Sequence, residues 1–127
     1  MPLEPTETRS LPTPPADILI VDDVPENIRL LSIILDAKGY QTRKATNGHT
    51  ALRAVEAMLP SLILLDIRMP QMSGYEVCQQ LKSNPRTAEI PIIFLSAADE
   101  IADKVEAFNV GGADYITKPF HVEEVLA

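Results

Sequence analysis

The chain has 127 residues, a formal net charge of −7 and a single cysteine, Cys78. That length fits one domain with one modest core; a lone cysteine excludes an internal disulfide framework, no apolar run nears the roughly 18 residues of a membrane span, and the first residues lack the basic start and apolar centre of a signal peptide. A cytoplasmic location is the default expectation, and 18 acidic residues against 11 basic ones argue against nucleic-acid binding through phosphate contacts.

Residues 1–16 hold five of the 11 prolines (Pro2, Pro5, Pro12, Pro14, Pro15) and few large apolar side chains. Such a segment cannot offset the entropy of ordering, so it reads as a disordered or extended tail or linker, with one folded domain over 17–127. The run Ile18-Leu19-Ile20-Val21 is continuous and β-branched, as in a parallel strand buried on both faces, and it closes on Asp22-Asp23. Pro25 suits a first helical position. Ile28, Leu31, Ile34 and Leu35 then recur at helical spacing, and Gly39 ends the helix.

A short strand of alternating polarity follows over 40–44, and Asn47-Gly48 reads as a turn before a second helix marked by Ala51, Leu52, Val55 and Met58. Leu62-Ile63-Leu64-Leu65 is another fully apolar strand, ending at Asp66. A loop with Pro70, Ser73 and Gly74 leads into a third helix over about 74–83, and a fourth strand at 91–95 ends at Ser96. The spacing predicts a fourth helix over 99–109, broken by Gly111-Gly112, a fifth strand at 113–117 ending in Lys118-Pro119, and a fifth helix from His121 of only seven residues. That last helix is shorter than a packed helix usually is, so it reads as truncated.

Strand and helix alternate five times. Strands joined by helices lie parallel, with right-handed crossovers and helices on both faces. The expected fold is therefore a doubly wound five-stranded parallel sheet. Such sheets bind ligands outside the carboxyl ends of their strands, and there the sequence places Asp22, Asp23, Asp66, Ser96 and Lys118.

Alone, Asp22-Asp23 reads as a helix N-cap pair and Asp66 as a solvated loop residue. Together with Lys118 they suggest chemistry. Three crowded carboxylates repel and call for a cation; a hard ion with oxygen ligands, Mg²⁺ or Mn²⁺, fits. Lys118 and a metal make a pocket for a phosphoryl group, Ser96 can donate to a phosphoryl oxygen, and Asp66 can act as the nucleophile. Cys78 reads as a small packing residue, and His49 and His121 have no metal-ligand spacing.

The segments ILIVDD, LLDIRMPQMSGYE, IPIIFLSA and GGADYITKPF, each in order at a strand end, resemble the CheY-like receiver domain of bacterial response regulators over all of 17–127. The sheet that this family resemblance implies is the flavodoxin-like (βα)5 form with strand order 2-1-3-4-5. The resemblance implies that Asp66 is the phosphoacceptor, that Asp23 and Asp66 ligate Mg²⁺ directly with Asp22 acting through water, and that the backbone carbonyl of Arg68 completes the protein ligands. It implies further that Lys118 contacts the phosphoryl group, that Ser96 moves toward it and that Tyr115 is the coupled aromatic switch, with Ala97 leaving access. The Lys118-Pro119 bond is expected to be cis.

The implied partners are a histidine kinase or a histidine phosphotransfer domain, and a second copy paired through the face of the fourth helix, fifth strand and fifth helix. No output domain is present in this sequence. The text PENIRLLSIIL and ADKVEAFNVGGADYITKPF resembles receivers attached to hybrid sensor kinases or to cyclase-type multidomain regulators. Two positions that tune phosphoryl lifetime in the family hold Arg68 and Ala98, from which slow self-dephosphorylation is expected. The rival readings are a metal-dependent phosphatase with an aspartyl nucleophile, in which a second acid would stand where Arg68 does, and a degenerate receiver that only binds proteins, which would lack the acidic or lysine positions.

Overall fold

An apolar run that alternates its side chains across a sheet needs cover on both faces. In the computed structural model, which describes residues 16–97 and 114–118 (96–97 and 114–118 by backbone only), it receives that cover. The strands are β1 (Asp17–Val21), β2 (Gln41–Ala45), β3 (Leu62–Asp66), β4 (Ile92–Ala97) and β5 (Asp114–Lys118), and the helices are α1 (Pro25–Asp36), α2 (Gly48–Ala57) and α3 (Gly74–Lys82). All neighbouring strands run parallel, in the order β2-β1-β3-β4-β5. The expected doubly wound topology is therefore what the chain adopts. The predicted tail before Ala16, the fourth and fifth helices, Ala98, and the Lys118-Pro119 bond lie outside the described residues.

The core divides by strand parity. Leu19, Val21, Ile63, Leu65, Ile92 and Phe94 pack with Ala51, Val55, Val77, Cys78 and Leu81 of α2 and α3. The alternate residues Ile18, Ile20, Leu62, Leu64, Ile93 and Leu95 pack on the other face with Ile28, Leu31, Ile34 and Leu35 of α1. Residues 18–21, 63–65 and 92–95 are all at most 3% exposed, which is why these strands read as unbroken apolar runs.

Local chemistry sets the helix ends. Pro25 opens α1. At its far end Gly39 has φ 94°, the Gly39 N–H donates to the Asp36 carbonyl at 3.0 Å and the Tyr40 N–H to the Leu35 carbonyl at 3.2 Å. That bond pair is a Schellman motif, and its left-handed residue favours glycine. Asn47-Gly48 is a correction to the sequence reading. It is no free turn: the Asn47 side chain accepts the Thr50 N–H at 2.8 Å and caps α2, whose first residue is Gly48. A cap and a turn use the same residue types, and the helix that follows decides between them. Directly ahead of β1, the Ala16 carbonyl accepts the Gln41 N–H at 2.8 Å.

Arg43 ties three elements together. Its guanidinium pairs with Asp17 at the start of β1 (2.7 Å) and donates to the carbonyls of Ala54 (2.9 Å) and Met58 (2.6 Å) at the end of α2. Both side chains are largely shielded, at 26% and 18% exposure, so the contacts are charge-assisted bonds little weakened by solvent. Arg43→Met removes them and should destabilise the fold by about 2 kcal/mol, read from the urea midpoint at unchanged slope.

Cys78 is fully enclosed between α3 and the sheet. Burial pushes its thiol from 9.0 up to about 11, against a small opposing pull from Lys82. The folded state thus favours the protonated thiol. Its contribution to stability is complete below pH 9 and is lost as pH rises through about 11. At pH 8 the folded chain should resist an aromatic disulfide reagent, with labelling proceeding only after denaturant is added.

Candidate functional site

The register Val21↔Leu65 between β1 and β3 puts the residues that follow, Asp22 and Asp66, side by side at the carboxyl edge of the sheet. Asp23 is next in the chain. One carboxylate oxygen from each of Asp22, Asp23 and Asp66 lies within 4.8 Å of the others. Asp22 and Asp66 are buried, at 0% and 3% exposure, and Asp23 is the most open of the three. The sequence-predicted acidic cluster is thus assembled.

Asp22 is held from several sides. Its backbone N–H donates to the Ala45 carbonyl at 3.1 Å. Its Oδ1 accepts the Val24 N–H at 2.9 Å, and its Oδ2 accepts the Asn27 side-chain amide at 3.2 Å. The N-cap of α1 is Val24, which makes no side-chain cap bond. Asp22 and Asp23 are therefore not a capping pair. Their carboxylates join the acidic cluster with Asp66 instead, and α1 starts without a side-chain cap.

Asp66 is held by the loop that follows it. The Ile67 N–H donates to the Leu95 carbonyl at 3.2 Å, and the Gly74 N–H returns to the Ile67 carbonyl at 2.9 Å. Between them Gln71 has φ 72°, and the Met72 N–H donates to the Pro70 carbonyl at 2.8 Å. This is a γ-turn with positive φ, a rare and strained form of the kind that gathers at functional sites. Ser73 and Glu76 then form a reciprocal capping box, with bonds of 2.8 and 3.2 Å, that starts α3.

A Cβ on Gly74 would overlap the Asp66 carbonyl oxygen and crowd the Ile67 Cα at 3.0 Å. Only glycine lets α3 approach the end of β3 this closely. Arg68 is exposed and lines a depression with Ile67, Met69, Pro70, Ser73 and Tyr75. Tyr75 meets Phe94 of β4 edge-on, with ring centroids 5.3 Å apart.

The strand register brings the remaining predicted residues to the same edge through their backbone. Ser96 pairs with Thr117, Ala97 with Lys118 and Phe94 with Tyr115, while Asp66 pairs with Leu95. Ser96 and Lys118 thus stand at the carboxyl ends of β4 and β5. Tyr115 lies further back in β5.

The donor set tests the expected ion. Three carboxylates close enough to share one centre offer only hard oxygen ligands, and two of them are already oriented by a buried setting; this fits Mg²⁺ or Mn²⁺ and disfavours softer metals. Sequence reasoning missed Asn27, the γ-turn at Gln71 and the close approach at Gly74. An asparagine five residues after an aspartate was the only visible sign of the first, and nothing local marks the others.

The family model for the response regulator receiver domain matches residues 18–127. The chain is 44% identical over 110 residues to the DNA-binding dual master transcriptional regulator RpaA of Synechocystis, covering 87% of this chain and 46% of that protein. Among solved structures it is similar to the chemotaxis protein CheY4 of Vibrio cholerae, with TM-score 0.83 and 28% identity over 88% of this chain and 93% of the other. It is also similar to the signal receiver domain of a signal transduction histidine kinase from Syntrophus aciditrophicus, with TM-score 0.77 and 37% identity over 87% and 89%. The chain spans less than half the length of the curated relatives it matches.

Gly74→Ala forces either the Asp66 backbone or the start of α3 to move. It should destabilise the fold by about 1–3 kcal/mol and shift the backbone amide resonances of residues 66–68, where a surface alanine such as Gln79→Ala leaves them in place.

Proposed function

The chain belongs to the response-regulator receiver family of two-component signalling, and from that premise we propose that it is a phosphorylatable switch with Asp66 as acceptor. The observation that supports this reading best is the convergence of Asp22, Asp23 and Asp66 within 4.8 Å at the edge where β4 and β5 deliver Ser96 and Lys118.

In the proposed reaction an Asp66 carboxylate oxygen attacks the phosphorus of a phosphohistidine on a histidine kinase or a histidine phosphotransfer domain. A P–O bond forms, the P–N bond breaks, and the departing imidazole takes up a proton. Asp22, Asp23, Asp66 and the Arg68 carbonyl would hold Mg²⁺ or Mn²⁺. The ion, when bound, supplies charge neutralisation at the phosphoryl oxygens. Lys118 holds the transferred group by its point charge, and Ser96 donates to one of its oxygens. The chain's own role in transfer and in later hydrolysis is self-catalysis, not turnover of a metabolite.

The acyl phosphate then biases an equilibrium between two conformers. Ser96 and Tyr115 are the proposed switch pair, and the face around β5 is the proposed surface for output or for pairing with a second copy. Residues 17–127 form the proposed receiver module and 1–16 a linker. A phosphatase that uses an aspartyl nucleophile is not favoured, because the position of its second acid holds the basic Arg68. Among the described residues no helix is long and apolar enough to cross a membrane.

Incubation with Mg²⁺ and a small acyl-phosphate donor should add one phosphoryl mass to the parent chain and none to Asp66→Asn. No addition to the parent, under conditions where another receiver reacts, overturns the proposal. After donor removal the adduct should persist for minutes or longer, since the long charged side chain of Arg68, two residues after the acceptor, would partly cover it and Ala98 offers no group to orient an attacking water; a half-life of seconds contradicts that part.

A further inference from the structure

Asn27 takes no part in the chemistry above, yet it reaches from α1 into the acidic cluster. It is the third residue of α1, whose first is Pro25 and whose N-cap is Val24, a place where asparagine brings no helix-forming advantage. Its side-chain amide donates to Asp22 Oδ2 at 3.2 Å, while the Val24 N–H holds Oδ1 at 2.9 Å. Asp22 is fully buried, so donors from the protein must orient its carboxylate.

The terminal torsion of an aspartate is broad. Bonds to both oxygens, from the Val24 N–H to Oδ1 and from the Asn27 amide to Oδ2, constrain the carboxylate plane. The oxygen that completes the 4.8 Å cluster with Asp23 and Asp66 is then presented in a constant direction. A neutral amide is also suited by charge. A lysine or arginine at this position would neutralise Asp22 in place of a bound ion, an acid would add to the repulsion, and an apolar residue would supply no donor.

We propose that Asn27 is a positioning residue for divalent-cation binding, acting through Asp22. This rests on the reading of the acidic cluster as a metal site. The test is Mg²⁺ titration of the full chain by calorimetry, together with the Mg²⁺-induced rise in Tm. Asn27→Ala should bind Mg²⁺ about 10- to 100-fold more weakly, with a correspondingly smaller Mg²⁺-induced rise in Tm measured from the variant's own metal-free value. Asn27→Leu, which keeps the bulk of the side chain, should show the same loss. In an Asp22→Ala background, Asn27→Ala should weaken Mg²⁺ binding no further, because the path through Asp22 is already gone. Parent-like Mg²⁺ affinity in both single variants, or an undiminished loss in the Asp22→Ala background, overturns the inference. A parent chain that binds no Mg²⁺ overturns the metal-site reading and the inference with it, and that outcome is distinct from the first two.

Discussion

Three carboxylates share one small volume at the carboxyl edge of the sheet, and two of them are buried. Within 4.8 Å of one another, each ionised pair repels by at least about 3 kcal/mol at an effective dielectric of about 20. The fold accepts this crowding because the strands that deliver the acids are anchored along their whole length by two apolar layers. Crowding of this kind is compatible with a receiver-domain metal site.

The two ends of the sheet carry different burdens. At the carboxyl edge local rules are set aside: α1 begins without a side-chain cap, and Gln71 adopts a positive φ. Towards the other edge the chain is tied down by charged and polar bonds to the ends of helices. Arg43 bridges Asp17 and the last carbonyls of α2. Lys82 donates to the carbonyls of Ala88 and Ile90 at 2.9 and 2.8 Å, and the buried Thr87 hydroxyl donates to the Leu81 carbonyl at 2.6 Å. Strain at one edge is tolerated where the rest of the structure is over-determined.

Much of the fold was legible because each element announces itself locally. Continuous apolar runs at 18–21 and 62–65 can only be strands covered on both faces, and the parity of the core bears this out. Pro25 and Gly39 bracket α1 for reasons of φ alone. Asn47 was misread because capping and turning use the same side-chain chemistry, and only the helix beyond it separates the two. The carboxylates were legible as a group because a parallel sheet must bring all its strand ends to one edge.

Residue order and periodicity alone set the alternation of strand and helix and the polar residues at the strand ends, and the resemblance of the segments around those residues pointed to the family. Only the tertiary structure decided that Asp22 is enclosed while Asp23 stays more open, that Asn27 reaches back to orient Asp22, and that Gly74 must lack a Cβ against the Asp66 carbonyl. The physical reason is range. Orientation and close approach arise from contacts between segments that only the folded sheet brings together, and no local pattern encodes the distance at which they meet.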